Sequence, residues 1–237
     1  MLQALSWAAL GTGFTFLMTT LGAAVVFFFV EEPRPQFQRT MLGFAAGVMT
    51  AASVWSLLLP AIEQSADFGV PGWLPAAAGL LLGVGFLSAL DAVLPHLRRA
   101  KDMDLTRRQS TLLMAAITLH NVPEGMAGAA ALALGIGIQN LPEGAAISLP
   151  LRQEGSSRGR AFLLGTLSGS VEPIFGILVV LVAAGVRPLM PWLLSFAAGT
   201  MLYVVVEELV PQAHSKAGTC GFVGGFLIMM ILDVALG

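Results

Sequence analysis

The chain has 237 residues, of which 56% are hydrophobic and only 11% charged, with a formal net charge of −2. Soluble domains carry about 25% charged residues, so this composition excludes a water-soluble fold and places the chain in a bilayer. It also excludes a nucleic-acid surface, because the basic residues flank apolar stretches and form no patch.

Runs of roughly 20 apolar residues, enough to cross a hydrocarbon core as helix, fall at 6–30, 40–61, 72–94, 111–131, 132–151, 159–184, 188–210 and 218–236. They predict an all-α integral membrane protein, with residues 1–237 forming a single transmembrane domain of eight spans. A β-barrel would show short alternating segments, whereas these are long and continuously apolar. The first run lacks a basic leader, and its apolar stretch exceeds the about 7–15 residues of a signal peptide, so it reads as a retained helix.

Orientation follows from Lys and Arg, which accumulate in short cytoplasmic loops. Arg34 and Arg39 follow span one; Arg98, Arg99, Lys101, Arg107 and Arg108 follow span three; Arg152, Arg158 and Arg160 follow span five; Lys216 follows span seven. Only Arg187 lies on the other side, so the odd-numbered loops read as cytoplasmic and both termini as external.

Span two ends near Glu63 and Asp67, on the external side, where they could attract cations or simply solvate a helix end. Span three closes with Asp91 and His96 on the cytoplasmic side, as span seven closes with Glu207, Glu208 and His214. These five could relay a leaving ion; interfacial polar groups or caps would look the same. Span eight carries Cys220 and Asp233. A lone cysteine rules out an intrachain disulfide and a thiolate cluster, and in a Gly-rich apolar helix it reads as a small packing residue. Asp233 lies toward the outside and could serve an entrance.

Spans four and five hold a doubled phrase: His120-Asn121-Val122-Pro123-Glu124-Gly125, then Gln139-Asn140-Leu141-Pro142-Glu143-Gly144 nineteen positions later. An ionisable side chain inside a membrane is costly, faces the bundle interior or a wet cavity, and marks an ion or substrate pathway. His120 and Glu124 stand at i and i+4 and share a helix face, as do Gln139 and Glu143, while Asn121 and Asn140 sit one step round. Each proline lacks the N–H that would bond four residues back, so the carbonyls of Leu119 and Ile138 are released and the helices are expected to bend. Such backbone is tolerated in a bilayer only where it is buried in protein or lines a cavity.

Span six adds Ser168-Gly169-Ser170-Val171-Glu172-Pro173, again a carboxylate before a proline. Imidazole, carboxylate and amide oxygen together suit a divalent ion of the zinc, iron, manganese or cadmium kind. Three carboxylates exceed the need of one ion, and Glu124 and Glu143 could bridge two ions held roughly 3.5–4 Å apart.

At these residues the chain resembles the ZIP (Zrt/Irt-like) family of divalent metal transporters, in particular its prokaryotic GufA-like branch. The likeness rests on HNVPEG, QNLPEG, SGSVEP, the VVEELVP of span seven and the terminal LDVALG, and covers essentially the whole chain. It implies eight helices arranged as three, two and three, with the outer triplets related by an inverted repeat and both termini extracellular or periplasmic. It also implies residence in a prokaryotic inner (plasma) membrane and uptake of metal, zinc first, as substrate with no organic cofactor. The family's first metal position maps onto His120, Glu124, Gln139 and Glu143; its second maps onto Asn121, Asn140 and Glu172 with Glu124 and Glu143 bridging. Some relatives place Asp where this chain has Asn140, and a neutral amide should weaken the second ion's hold. The family suggests an elevator-like movement of spans one, four, five and six against two, three, seven and eight.

Only Gly128 to Gly135 is available to reverse direction between spans four and five, and similar proteins carry longer, often His-rich loops. An intramembrane metalloenzyme would need a general base and an open coordination position, and no HExxH helix is present. A proton-coupled solute carrier would not need His-Glu and Gln-Glu faces in duplicate. Gly- and Ala-rich faces on spans two and three permit a homodimer.

Overall fold

The computed structural model describes residues 2–28, 34–97, 133–181 and 187–236, together with residues 114, 117, 118, 121, 122 and 125. Those described residues are helical apart from short turns. In chain order they form α1 (Leu2–Ala24), α2 (Pro35–Ala52), α3 (Leu59–Ala66), α4 (Trp73–Leu97), α5 (Ala133–Gln153), α6 (Arg158–Gly169), α7 (Val171–Leu181), α8 (Met190–Val204), α9 (Val210–Ala213) and α10 (Lys216–Leu236).

Among the described residues six stretches are long and apolar enough to cross a membrane: Leu5–Phe28, Pro35–Ala66, Trp73–Ala92, Arg158–Leu181, Arg187–Ala213 and Lys216–Ala235. They coincide with expected spans one, two, three, six, seven and eight. The fifth expected span is present as α5, of sufficient length but made less apolar by Gln139, Asn140, Glu143 and two prolines. Its residues from Ile136 to Leu151 are almost all buried, so protein rather than lipid surrounds it. Most of the fourth expected span lies outside the described residues.

Prolines shape the long helices. Span two is longer than its apolar run predicts, reaching from Pro35 to Ala66 with a π turn at Ser53–Leu58. Pro60 cannot donate to the Ser56 carbonyl four residues back, and the N–H of Leu59 reaches Val54 instead. Span seven repeats the device: a π turn at Val205–Leu209, the N–H of Val210 on the Val205 carbonyl, and Pro211 four residues after Glu207. In each case the proline stands two positions beyond the turn. By contrast, α5 runs through Pro142 and Pro150 as one helix. The break falls in span six, where Ser170 separates α6 from α7 and donates its N–H to the Leu167 carbonyl at 3.1 Å.

Packing divides the described helices into two groups. α1 lies against α5, α6 and α7, while α2 packs on α10, and α4 on α8. The groups meet mainly where α2 crosses α5. Close approach of α2 and α10 depends on small residues: a Cβ at Gly43 would strike the Gly218 main chain. Around this contact lies the apolar core of Leu42, Ala45, Ala46, Met49, Met201 and Leu209. α10 opens with the Thr219 N–H on the Ser215 carbonyl at 2.9 Å. Positions 100–108 and 128–134 lie outside the described residues except for Ala133 and Leu134, which begin α5. Cys220, expected to pack inside, is exposed on α10.

Candidate metal centre

The centre is assembled from α1, α5, the α6–α7 break and the described residues of the span before α5. α1 has no charged residue, yet it buries Thr12, Thr15 and Thr19 almost completely. Spacings of three and four set them along one helix face. A threonine in an apolar helix can satisfy its own hydroxyl on the preceding turn. Thr12 donates to the Ala8 carbonyl at 2.8 Å and Thr15 to the Thr12 carbonyl at 3.0 Å. Thr19 does this only weakly, at 3.3 Å to the Thr15 carbonyl, and also reaches Oε1 of Glu172 at 3.4 Å.

On α5, Gln139, Asn140 and Glu143 are fully buried. The Asn140 amide has two donor hydrogens and both are committed. Its Nδ2 lies 2.9 Å from each carboxylate oxygen of Glu172 and 3.3 Å from the Thr15 carbonyl. The opposite orientation would press Oδ1 against three acceptors, so the network fixes the amide. Oδ1 of Asn140 is consequently left buried with no hydrogen-bond partner among the described residues.

Asn121 repeats the arrangement from the other motif. Its Nδ2 donates to the Ser168 carbonyl at 3.3 Å, on the turn before the α6–α7 break, and its buried Oδ1 has no hydrogen-bond partner among the described residues. A buried polar atom left unsatisfied costs about 1–3 kcal/mol. Two amides are thus tied down by their nitrogens, each with a buried oxygen that meets no donor among the described residues.

Glu172 is fully buried in the first turn of α7, and Glu143 acts on it through space by charge repulsion. Among the described residues no group of three His, Cys, Asp or Glu could hold a metal. The described donor set is therefore two carboxylates and three amides: Glu143, Glu172, Asn121, Gln139 and Asn140. His120 and Glu124 lie outside the described residues.

The glycines that end the two motifs act as docking points. A side chain at Gly125 would strike the Glu172 main chain, and one at Gly144 the Thr19 main chain. The first motif therefore rests on the start of α7 and the second on α1.

The remaining sequence-selected residues lie elsewhere. Asp91 on α4 is half-buried and accepts from the Tyr203 hydroxyl at 3.4 Å; Glu208 is half-buried and accepts from Gln212 at 3.5 Å, while Glu207 is exposed. Asp91, Glu207 and Glu208 interact electrostatically, so α4 and the span-seven π turn do bring this trio together. Nevertheless they do not constitute a group that could hold a metal. His214 is exposed beside an apolar hollow of about 230 Å³ lined by Gly43, Ala46, Val210, Ala213, Gly218 and Phe222. His96 falls within α4. Glu63 and Asp67 are exposed. Asp233 is half-buried and accepts from Ser56 at 2.8 Å, tying α10 to the span-two π turn.

Sequence reasoning missed Thr15, Thr19, Ser56 and Tyr203. The three-and-four spacing of threonines on an otherwise apolar span was a signal for the first two. Matching phrases at Leu90-Asp91-Ala92-Val93-Leu94 and Leu232-Asp233-Val234-Ala235-Leu236 mark the partners of the others.

Comparison with known proteins bears on the whole chain. A sequence model described as ZIP Zinc transporter matches residues 96–233. Zinc transporter ZIP11 of Homo sapiens is 35% identical, with 97% of this chain and 97% of that protein covered. Zinc transporter GufA of Myxococcus xanthus is 37% identical over 92% of this chain and 94% of its own length. Zinc transporter ZIPB of Bordetella bronchiseptica is 36% identical over 98% and 82%. The alignment with the human protein extends over 339 positions, more than the 237 residues here, so that relative carries segments this chain lacks. With the doubled motif, the buried carboxylates and six membrane-length helices all inside the aligned region, the chain is an integral membrane protein that belongs to the ZIP zinc transporter family.

Proposed function

We propose that this protein carries divalent transition-metal ions, zinc in preference and with cadmium, iron and manganese as further substrates, across the membrane into the cytoplasm. The carrying observation is the cluster of buried Glu143 and Glu172 with the bare amide oxygens of Asn121 and Asn140, in the middle of an apolar bundle. Carboxylate and amide oxygens gathered in an apolar bundle suit a cation. The relatives, named as zinc transporters, support the same cargo.

The first ion position consists of His120, Glu124, Gln139 and Glu143. The second consists of Asn121, Asn140 and Glu172, with Glu124 and Glu143 shared. Imidazole and carboxylate are borderline and hard ligands, and the mixture fits zinc without excluding its neighbours in the stability order.

Movement follows an elevator scheme in which spans one, four, five and six travel against two, three, seven and eight. Two observations support it. The described helices pack as α1 with α5, α6 and α7 on one side and α2, α4, α8 and α10 on the other. The π turns of spans two and seven, each followed by a proline at the same offset, are what an inverted repeat of the outer triplets would produce. With eight spans and both termini external, the ion enters near Asp233 and Glu63 and leaves past Asp91 and Glu208. Surplus carboxylates exchange protons for the ion, since ligands must be deprotonated to bind.

The test is influx into proteoliposomes reconstituted with purified protein. Zinc and cadmium entry abolished by Glu124→Ala, Glu143→Ala and His120→Ala in folded protein supports the pathway. Entry untouched by all three changes, or absent from wild-type protein that is folded and correctly inserted, overturns it.

A further inference from the structure

The Asn140 side chain does more at the second ion position than offer an oxygen. Its Nδ2 lies 2.9 Å from both oxygens of Glu172, in the bite of the carboxylate. That is where a cation held by both oxygens would sit. A single N–H shared between two carboxylate oxygens is a charge-assisted hydrogen bond, stronger than one between neutral groups.

Further contacts fix the pair. The second Nδ2 hydrogen is committed to the Thr15 carbonyl at 3.3 Å, so the amide cannot rotate away without losing two bonds. The Thr19 hydroxyl adds a donor on Oε1 of Glu172 at 3.4 Å. Thr19 is itself held in place because Gly169 and Gly144 pack directly on it, with the Thr19 Cβ 2.9 Å from where a Cβ on Gly169 would lie. An aspartate at position 140 would have no donor to offer, and two facing carboxylates would require a cation. An asparagine there supplies the compensation internally.

We infer that Asn140, supported by Thr19 and Thr15 of span one, latches Glu172 and closes the second ion position. A first ion then binds tightly while a second is admitted only when the amide releases the carboxylate. This inference rests on the proposed transport reading and refines it. The two ion positions are unequal, and the chain carries one tightly held ion per cycle. Thr19 is a positioning residue: it acts on the ion through Glu172.

The experiment is calorimetric titration of the purified full-length protein in detergent micelles with zinc, which reports stoichiometry and affinity without transport. Wild-type protein is expected to take one ion tightly and a second at least about tenfold more weakly, the range that outer-shell partners control. Asn140→Asp removes the donor and adds a ligand, so the second ion should tighten about tenfold or more, with the first little changed. Thr19→Ala should tighten the second ion in the same direction by less, and Thr19→Ser should restore wild-type behaviour. If Asn140→Asp does not fold, the Thr19 pair decides alone. Two equal ions on wild-type protein, or a second affinity unmoved by Asn140→Asp or by Thr19→Ala in folded protein, overturns the latch. Failure of wild-type protein to bind any zinc overturns the transport site itself, and the latch with it.

Discussion

Gly144, the last residue of the second motif, rests against the main chain of Thr19 so closely that a methyl group has no room. The neighbour it would strike is backbone, and backbone within a packed helix cannot swing aside. Overpacking of this kind costs about 1–3 kcal/mol. Gly144→Ala should therefore lower the melting temperature of the detergent-solubilised protein and reduce zinc binding together. Gly159→Ala is the control: that position is exposed in the first turn of α6 and a Cβ there meets nothing within 4 Å. It should leave stability unchanged or raise it by up to about 1 kcal/mol, the helix preference of Ala over Gly.

Glu143→Gln keeps the shape of the side chain and removes its charge. Removing a charge from a fully buried side chain should make the protein as stable as wild type or more so, because burying a charged carboxylate is costly. Zinc influx should fall by roughly 100-fold or more because a direct ligand is lost, beyond the 10–100-fold attributed to outer-shell partners. Thermal melting and influx measured on one preparation would separate these effects; melting and influx falling together would contradict the assignment.

Ser56→Ala removes the 2.8 Å bond to Asp233 that joins the span-two π turn to α10. A hydrogen bond to a charged group is worth about 1.5–3 kcal/mol, with partial exposure of Asp233 placing the loss at the lower end. If Asp233 serves the entrance, the concentration for half-maximal influx should rise with little change in maximal rate. A fall confined to the maximal rate would instead place Ser56 in the moving parts.

Zinc affinity should weaken on acidification, by about tenfold per pH unit for each proton displaced on binding. The sign follows from competition: protons occupy carboxylates that the ion needs deprotonated. Titrations at several pH values in matched buffers would give the number of protons released; affinity independent of pH would remove Glu143 and Glu172 from the ion's coordination.

The sequence made the chemistry of the centre legible and much of its mechanics illegible. Asn121, Gln139, Asn140, Glu143 and Glu172 stand out because polar residues recur in duplicate inside apolar runs, where solvent cannot excuse them. Thr15 and Thr19 do not stand out, since a threonine can bond its own helix and carry no message about a neighbour. The place where the backbone opens was illegible for a related reason. A proline signals a missing donor, but whether the helix stops depends on what surrounds it: α5 is clasped by protein along its length and continues, while span six opens at Ser170. The apolar run at 132–151 located α5, although Gln139, Asn140 and Glu143 dilute its apolar character.

The paired π turns have a consequence for how spans two and seven present their side chains. A π turn accommodates one residue more than the α-helical ladder, and at 3.6 residues per turn one extra residue swings everything beyond it by about 100° around the axis. Ile62 and Glu63 after the first turn, and Gln212 and Ala213 after the second, therefore point where an uninterrupted helical wheel would not put them. Deleting one residue from either segment would restore the regular ladder at the cost of turning that helix end by a quarter-circle or more, carrying polar groups toward lipid and apolar ones toward the water-facing end. Chain length in these two segments is thus fixed to the residue.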